Sequence, residues 1–263
     1  MKINYLLVLM VLIISGGCTK NTFNVTEREG VETKALVKIG LFNMYAVNTP
    51  VLIYNNGQRI SSAITSPYPF PGGGFNTGGN SNGDYFAVNP GDNKFELFTT
   101  NAGTINLISK LLETVQNVEA NKRYTIYIAD TAANIVAVKA PDDAVKPDTA
   151  IARIRFINLI PNSPAGGLDF YKGSTLLKSG IKYKEFTEFF DIPASTVDSF
   201  SVRLAGSAAG SAVTAATYYR LATNTNQRIY SFVSRGYLGF PPFPVFPAVA
   251  DLRRPLISVS VNQ

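Results

Sequence analysis

The sequence contains no histidine and no tryptophan, and its single cysteine is Cys18. Without imidazole, neither a Ser-His-Asp nor a Cys-His nucleophile can be assembled. Ordinary zinc, copper and haem sites lose their main ligands. One cysteine cannot form an internal disulfide, so stability must come from core burial. No metal and no cofactor is therefore expected. Charge is also scarce: 16% of residues are charged, against 46% apolar. The formal net charge of +6 comes from scattered basic residues rather than runs, which excludes the footprint of a nucleic-acid binder. Paired carboxylates, oxygen-ligated cations and Ser-Lys chemistry remain open to this composition.

What is present begins with a charged start (Lys2), an unbroken apolar run over 5–14 (YLLVLMVLII), and Ser15-Gly16-Gly17 directly before Cys18. That is the layout of an export signal. A spanning helix needs about 20 apolar residues, and this run stops at roughly half that. The segment resembles the signal of bacterial lipoproteins, which is cut before a cysteine that has been lipidated. The resemblance implies a signal peptide over 1–17 and Cys18 as the acylated mature N-terminus, attached to the membrane through its lipid. Several acyl chains hold a protein durably where one holds it marginally. Thr19 stands where an aspartate would retain a lipoprotein in the inner membrane. The expected location is therefore the cell envelope, at the outer membrane, with the face left open. Residues 18–33 are polar and aperiodic and read as a tether. Glu27 and Glu29 form only a late, weak version of an acidic export signal.

Short β-type runs follow, at 35–43, 51–54, 59–65, 84–88, 94–99, 105–118, 123–130 and 134–139. They are rich in β-branched and aromatic residues and bounded by Gly, Pro, Asn or Asp. Asn55-Asn56-Gly57 is a hairpin signal. The run 105–118 also has helical spacing, with Ile105, Ile108, Leu112 and Val115 three to four residues apart; its place between strands favours a strand. Residues 140–149 (APDDAVKPDT) break the pattern and mark a boundary, where Asp142, Asp143 and Asp148 read as a solvated hinge. The first pattern then recurs. Residues 150–159 match 35–44, 168–173 match 52–57, and 228–235 match 123–130. Two copies of one unit imply a tandem duplication.

The expected fold is all-β: two tandem Ig-like antiparallel β-sandwich domains after a cleaved lipoprotein signal peptide. Their expected bounds are 34–140 and 150–263, joined by a linker at 141–149. Alternation puts Leu52 and Tyr54 on one buried face, and Leu168 and Phe170 on the matching one.

The stretch Ala152-Arg153-Ile154-Arg155-Phe156-Ile157-Asn158-Leu159-Ile160-Pro161-Asn162-Ser163-Pro164-Ala165, followed by Leu168-Asp169-Phe170-Tyr171 and Gly173, resembles the opening of domain-of-unknown-function family 4397. The first copy departs from that pattern, with Ile53 near the family's usual Asp and Tyr45-Ala46-Val47 in place of Ile-Pro-Asn. The resemblance implies exported proteins built of repeated sandwich modules. It implies no activity.

Two stretches fall outside the strand rhythm. Residues 66–83 place Tyr68, Phe70 and Phe75 among prolines and glycines, and 240–250 place Phe240, Phe243 and Phe246 in a proline ladder. Aromatic faces on a stiffened backbone can stack on sugars or anchor a protein; they can equally fold back over an open sandwich edge. Glu185, Glu188 and Asp191 straddle an apolar run without an evident cleft, so a glycosidase pair is a remote reading. Asp169 is expected to cap a turn or to pair with an Arg. Asp130-Thr131-Ala132 and Asp148-Thr149-Ala150 resemble an O-glycosylation acceptor motif of Bacteroides-type envelopes, which makes Thr131 and Thr149 candidate acceptors.

The function expected is non-enzymatic: a lipid-anchored envelope protein that serves in binding, adhesion or scaffolding toward an envelope protein or glycan. The alternative is a carbohydrate-binding accessory lipoprotein of a polysaccharide uptake system.

Overall fold

The structure is a computed structural model. It describes residues 33–42, 50–64, 85–101, 103–130, 134–194, 198–207, 211–214, 217–219, 229–240 and 254–262. Cys18, Tyr68, Phe70, Phe75, Thr131, Phe243 and Phe246 lie outside them. The described residues form strands and no α-helix, as the β-rich runs and turn residues require.

The first half contributes β1 (Ala35–Leu41), β2 (Val51–Asn55), β3 (Gln58–Arg59), β4 (Phe86–Val88), β5 (Gly91–Thr100), β6 (Leu107–Val118), β7 (Arg123–Ala129) and β8 (Val136–Pro141). The second contributes β9 (Ile151–Asn158), β10 (Leu168–Lys172), β11 (Thr175–Ile181), β12 (Phe190–Pro193), β13 (Asp198–Leu204), β14 (Thr217–Tyr219), β15 (Ile229–Arg235) and β16 (Leu256–Val261). The sheets run β3-β2-β5-β6 and β4-β1-β7-β8 in the first half, and β11-β10-β13-β14 and β12-β9-β15-β16 in the second. Adding eight to each strand number turns one half into the other, so the duplication is visible in the topology itself. Each half is a sandwich. Within it most pairs are antiparallel, while β1 with β7 and β9 with β15 run parallel.

Each sandwich has its own core. Val37, Ile39, Val51, Ile53, Phe95, Leu97 and Ile126 fill the first. Phe156, Phe170, Phe200 and Phe232 dominate the second. A third apolar cluster joins the halves: Phe42, Tyr127, Ala129, Val138 and Ala140 meet Ile157, Leu159 and Val233. The sheets carrying β1 and β9 therefore face a core on one side and each other on the opposite side. This is why β7 and β15 are buried along almost their whole length, as strands covered on both faces must be. Residues 31–263 form one compact unit.

The expected solvated hinge is corrected here. Asp142 is 2% exposed and lies between the halves, whereas Asp143 and Asp148 are exposed. The expected face of β2 is corrected too. Val51 and Ile53 enter the first core, while Leu52 and Tyr54 lie on the other face of the strand. The cause is the turn. Asn56 and Gly57 both have positive φ, 48° and 79°, as a two-residue primed turn demands. Gly173 stands at the first position of the matching turn rather than the second, so aligning glycine on glycine slips the register by one residue, and a one-residue slip exchanges the faces of a strand. In the second half Leu168 and Phe170 do face the core.

Within 105–118 the strand reading holds over Leu107–Val118: β6 pairs with β5, with two register irregularities. Its helical spacing has a β explanation. Leu97 pairs with Leu112 and Phe98 with Lys110, which leaves Leu111 as the extra residue of a bulge. Leu111 and Leu112 both pack on the first core, and the period of two is broken there.

Candidate functional site

Open clefts occur among the described residues. The first to consider takes in Phe240, the one candidate aromatic that the structure describes. It is an apolar cleft of about 440 Å³ lined by Leu204, Ala212, Val213, Leu238, Phe240 and Pro255. One of its lining residues, Leu238, is tied to the loop that follows β9. Asn158 is fully buried and donates to Ser163 Oγ at 3.0 Å and to the Ile181 carbonyl at 2.9 Å. It also accepts from the Ile160 amide at 3.0 Å, which fixes the loop that follows β9. Asn162, further along that loop, clasps Leu238 from both sides: its Nδ2 donates to the Leu238 carbonyl at 2.9 Å, and its Oδ1 accepts the Leu238 amide at 2.8 Å. That clasp holds the turn carrying Phe240, whose ring meets Tyr237 edge-on at 6.5 Å.

The second cleft is polar, about 290 Å³, and lined by Lys34, Asn55, Asn56, Gln58, Asn89 and Asn93. The buried Asn93 accepts from Asn56 Nδ2 at 3.3 Å and donates to the Asn89 carbonyl at 2.8 Å. Asn93 thus presets neighbouring amides around the opening. The third, about 530 Å³, lies between 59–63 and 103–105 and includes Ile60 and Ile105.

Between the halves sits a polar network that sequence reasoning did not find. The Arg155 guanidinium is 1% exposed. It pairs with the Asp142 carboxylate and donates to the Pro141 carbonyl, to Ser231 Oγ at 2.8 Å and to the Tyr127 hydroxyl at 3.2 Å. Asp142 also accepts from Thr125, from Tyr85 at 2.7 Å and from Asn262 Nδ2 at 2.7 Å. Lys38 reaches the other way, to Ser260 Oγ and the Val261 carbonyl, each at 3.1 Å. Each half thus sends a cation from its first strand to the end of the last strand of the other. Burial opposes the Arg155 charge, and Tyr127 and Asp142 outweigh that, so Arg155 keeps its proton more firmly than usual. Burial, reinforced by the Asp142 charge, pushes the Tyr85 hydroxyl well above the ordinary tyrosine range. Burial likewise raises Tyr127. A second lock lies at Asp130, which accepts from Tyr183 at 2.7 Å and from Tyr237 at 3.4 Å; burial and then Asp130 raise Tyr183. The signal for this network was a charged residue alternating with apolar ones in β9.

The remaining candidates separate. Asp191 is held by Arg153 through two contacts, at 2.7 and 2.8 Å, while Glu185 and Glu188 are exposed. Asp169 caps turns as expected: it accepts from Ser179 at 2.6 Å and from the amides of Gly180 and Gly206 at 2.9 and 3.0 Å. Burial disfavours its charge, but these donors hold its carboxyl below the usual range. Thr149 is exposed in the turn that enters β9.

Comparison with known proteins adds the following. The Bacillus anthracis TIE protein aligns over 78% of this chain and 34% of its own, with 8% sequence identity and a TM-score of 0.22. The chain thus spans about a third of the length of that structure. No curated protein matches. Residues 38–165 match a family model that takes in most of the first sandwich, the inter-half Asp142 and Arg155, and the opening motif of the second. That model is of the family described as Domain of unknown function (DUF4397).

Proposed function

We propose that this chain is a lipid-anchored envelope protein that binds rather than catalyses. Cys18 supplies the attachment to the outer membrane, and the paired sandwiches present the Phe240 cleft to an envelope protein. The observation that carries the contact surface is the Asn162 clasp on Leu238. It holds an aromatic residue at the rim of an apolar cleft instead of leaving it to a free loop, and preorganised aromatic anchors are what binding surfaces use.

The test has two parts. A photo-crosslinking residue at position 240 in intact cells should yield discrete adducts that are absent when it is placed at the exposed Val145. Equal labelling at both positions would remove the cleft from the proposal. Cys18→Ser should move the protein out of the membrane fraction; unchanged fractionation would remove the lipid anchor.

A second reading, carbohydrate binding beside a polysaccharide uptake system, is favoured by the amide-lined cleft. Asn and Gln side chains both donate and accept, as sugar hydroxyls require. Glycan-array binding lost in Gln58→Ala but retained in Phe240→Ala would select this reading, and an array without signal would discard it. The exposed Thr149 suits glycosylation; native protein whose intact mass lacks hexose-sized increments would exclude it.

A further inference from the structure

The longest strand among the described residues lies at the edge of its sheet as described. β6 spans 12 residues and ends the order β3-β2-β5-β6. Native sheets keep edge strands short, charged or covered, because unpaired amides and carbonyls recruit another strand. β6 and its lead-in instead expose Ile105, Leu107, Ile108 and Val115, with Ile108 at 59% and Val115 at 56%. Among the described residues the other large exposed apolar side chains, Val145, Leu176 and Leu204, are scattered.

In a regular strand Lys110 and Glu113 would point to opposite faces, being an odd number of residues apart. The bulge at Leu111 cancels that, and a second irregularity follows at Ile108 and Ser109. Leu111 and Leu112 both pack inward, while Lys110 and Glu113 are exposed and pair with each other across the bulge. About a point midway between Leu111 and Leu112, the positions of these two charges are symmetric.

We propose that β6 is a self-association edge whose occupant is a second copy of this chain. The two β6 strands run antiparallel about a two-fold axis between Leu111 and Leu112. Lys110 then faces Glu113 of the second copy, a pair that occurs twice. Such a contact is isologous and closes on itself, and it joins the two four-stranded sheets into one. A foreign strand has no reason to match a charge pair placed symmetrically about the strand centre. Opposite charges directly across a ladder support pairing, and like charges oppose it.

The symmetry supplies its own test. Sedimentation of the full-length protein as produced, in detergent, should give twice the polypeptide mass of one copy. Lys110→Glu places glutamates opposite glutamates, and Glu113→Lys places lysines opposite lysines. Each variant alone should weaken the dimer at least tenfold. Mixed together, the two variants are complementary and should recover the dimer, which also shows that both are folded. A wild-type chain that stays monomeric at the highest concentration reached would overturn the proposal. So would variants that dimerise as wild type does, or a mixture that stays apart.

Discussion

The two halves share every ladder and differ in what fills and covers them. The first core is largely aliphatic. The second is built on four phenylalanines, with Phe170 stacked on Phe156 at 4.7 Å and on Phe200 at 5.7 Å, and Phe232 at 5.4 Å from it. The first half ends one sheet with the long β6; its counterpart in the second, β14, is described over Thr217–Tyr219. Strand order is fixed by backbone pairing and survives duplication. Side chains need only fill space and satisfy polar groups, so each copy is free to acquire a separate surface.

The largest effects should come from what the halves share. Arg155 and Asp142 are almost fully buried, so removing one leaves the other uncompensated. Arg155→Met should cost about 3–5 kcal/mol and split a single calorimetric transition into two as the sandwiches lose their connection. The double variant Arg155→Met with Asp142→Leu should cost less than the two single variants summed. Strict additivity would mean that the pair is not coupled.

Next come the cores. Phe170→Ala should destabilise the second half by about 3–5 kcal/mol, more than Ile53→Ala at the matching place in the first half, because three rings lose a neighbour at once. Equal losses in denaturant titrations would show that the stack adds nothing beyond its area. The glycines sharpen the same contrast. Gly57 has open space around it, whereas a Cβ on Gly167 would lie 2.6 Å from the Gly180 backbone. Both have positive φ, so Gly57→Ala should cost about 1 kcal/mol of backbone strain, and Gly167→Ala clearly more, by thermal melts.

The halves should also part in alkali. Tyr85, Tyr127 and Tyr183, all at or beside the junction, have hydroxyls raised above the ordinary 10.0. A group whose pKa is raised on folding stabilises fully below its unfolded value and loses that contribution as pH climbs toward the folded one. Above about pH 10 the unfolded chain releases protons that the native chain retains, so stability should fall steeply there. Tyr85→Phe should flatten that fall, and an unchanged slope in pH-jump denaturation would exclude Tyr85 as a source.

Much of this plan was legible in the chain. The β runs, the hairpin at Asn56-Gly57 and the repeat at 150–159 all follow from local chemistry, and Asp169 at its turn caps is readable from its neighbours. The slipped register of β2 was not, because a turn glycine can occupy either turn position and sequence similarity does not say which. The buried Asp142 was not legible either. Two prolines and three aspartates are the composition of a linker, and only the packing of one sandwich on the other turns one of those aspartates into the counter-ion of Arg155. The cleft at Phe240 was half legible: the aromatic could be seen, but Asn162, which holds it in place, could not.

The smallest effect tests how far position along a strand decides the worth of a charge. Arg153 lies two residues before Arg155, the counterpart of Lys38 in the ladders. Arg153 stays at the rim, where it holds the Asp191 carboxyl below its usual range through direct hydrogen bonds. That lowering stabilises above the unfolded carboxyl value, about 3.9, and is lost as the pH falls through the lower folded value. The pair is substantially exposed, at 25% and 44%, so screening limits it to about 0–1 kcal/mol. Asp191→Asn should therefore move the melting temperature only slightly at pH 7 and not at all in strong acid. Lys38 is buried and reaches the other half, so Lys38→Met should cost measurably more than Arg153→Met. Equal costs would mean that crossing between the halves gives a cation no more work than lying at a rim.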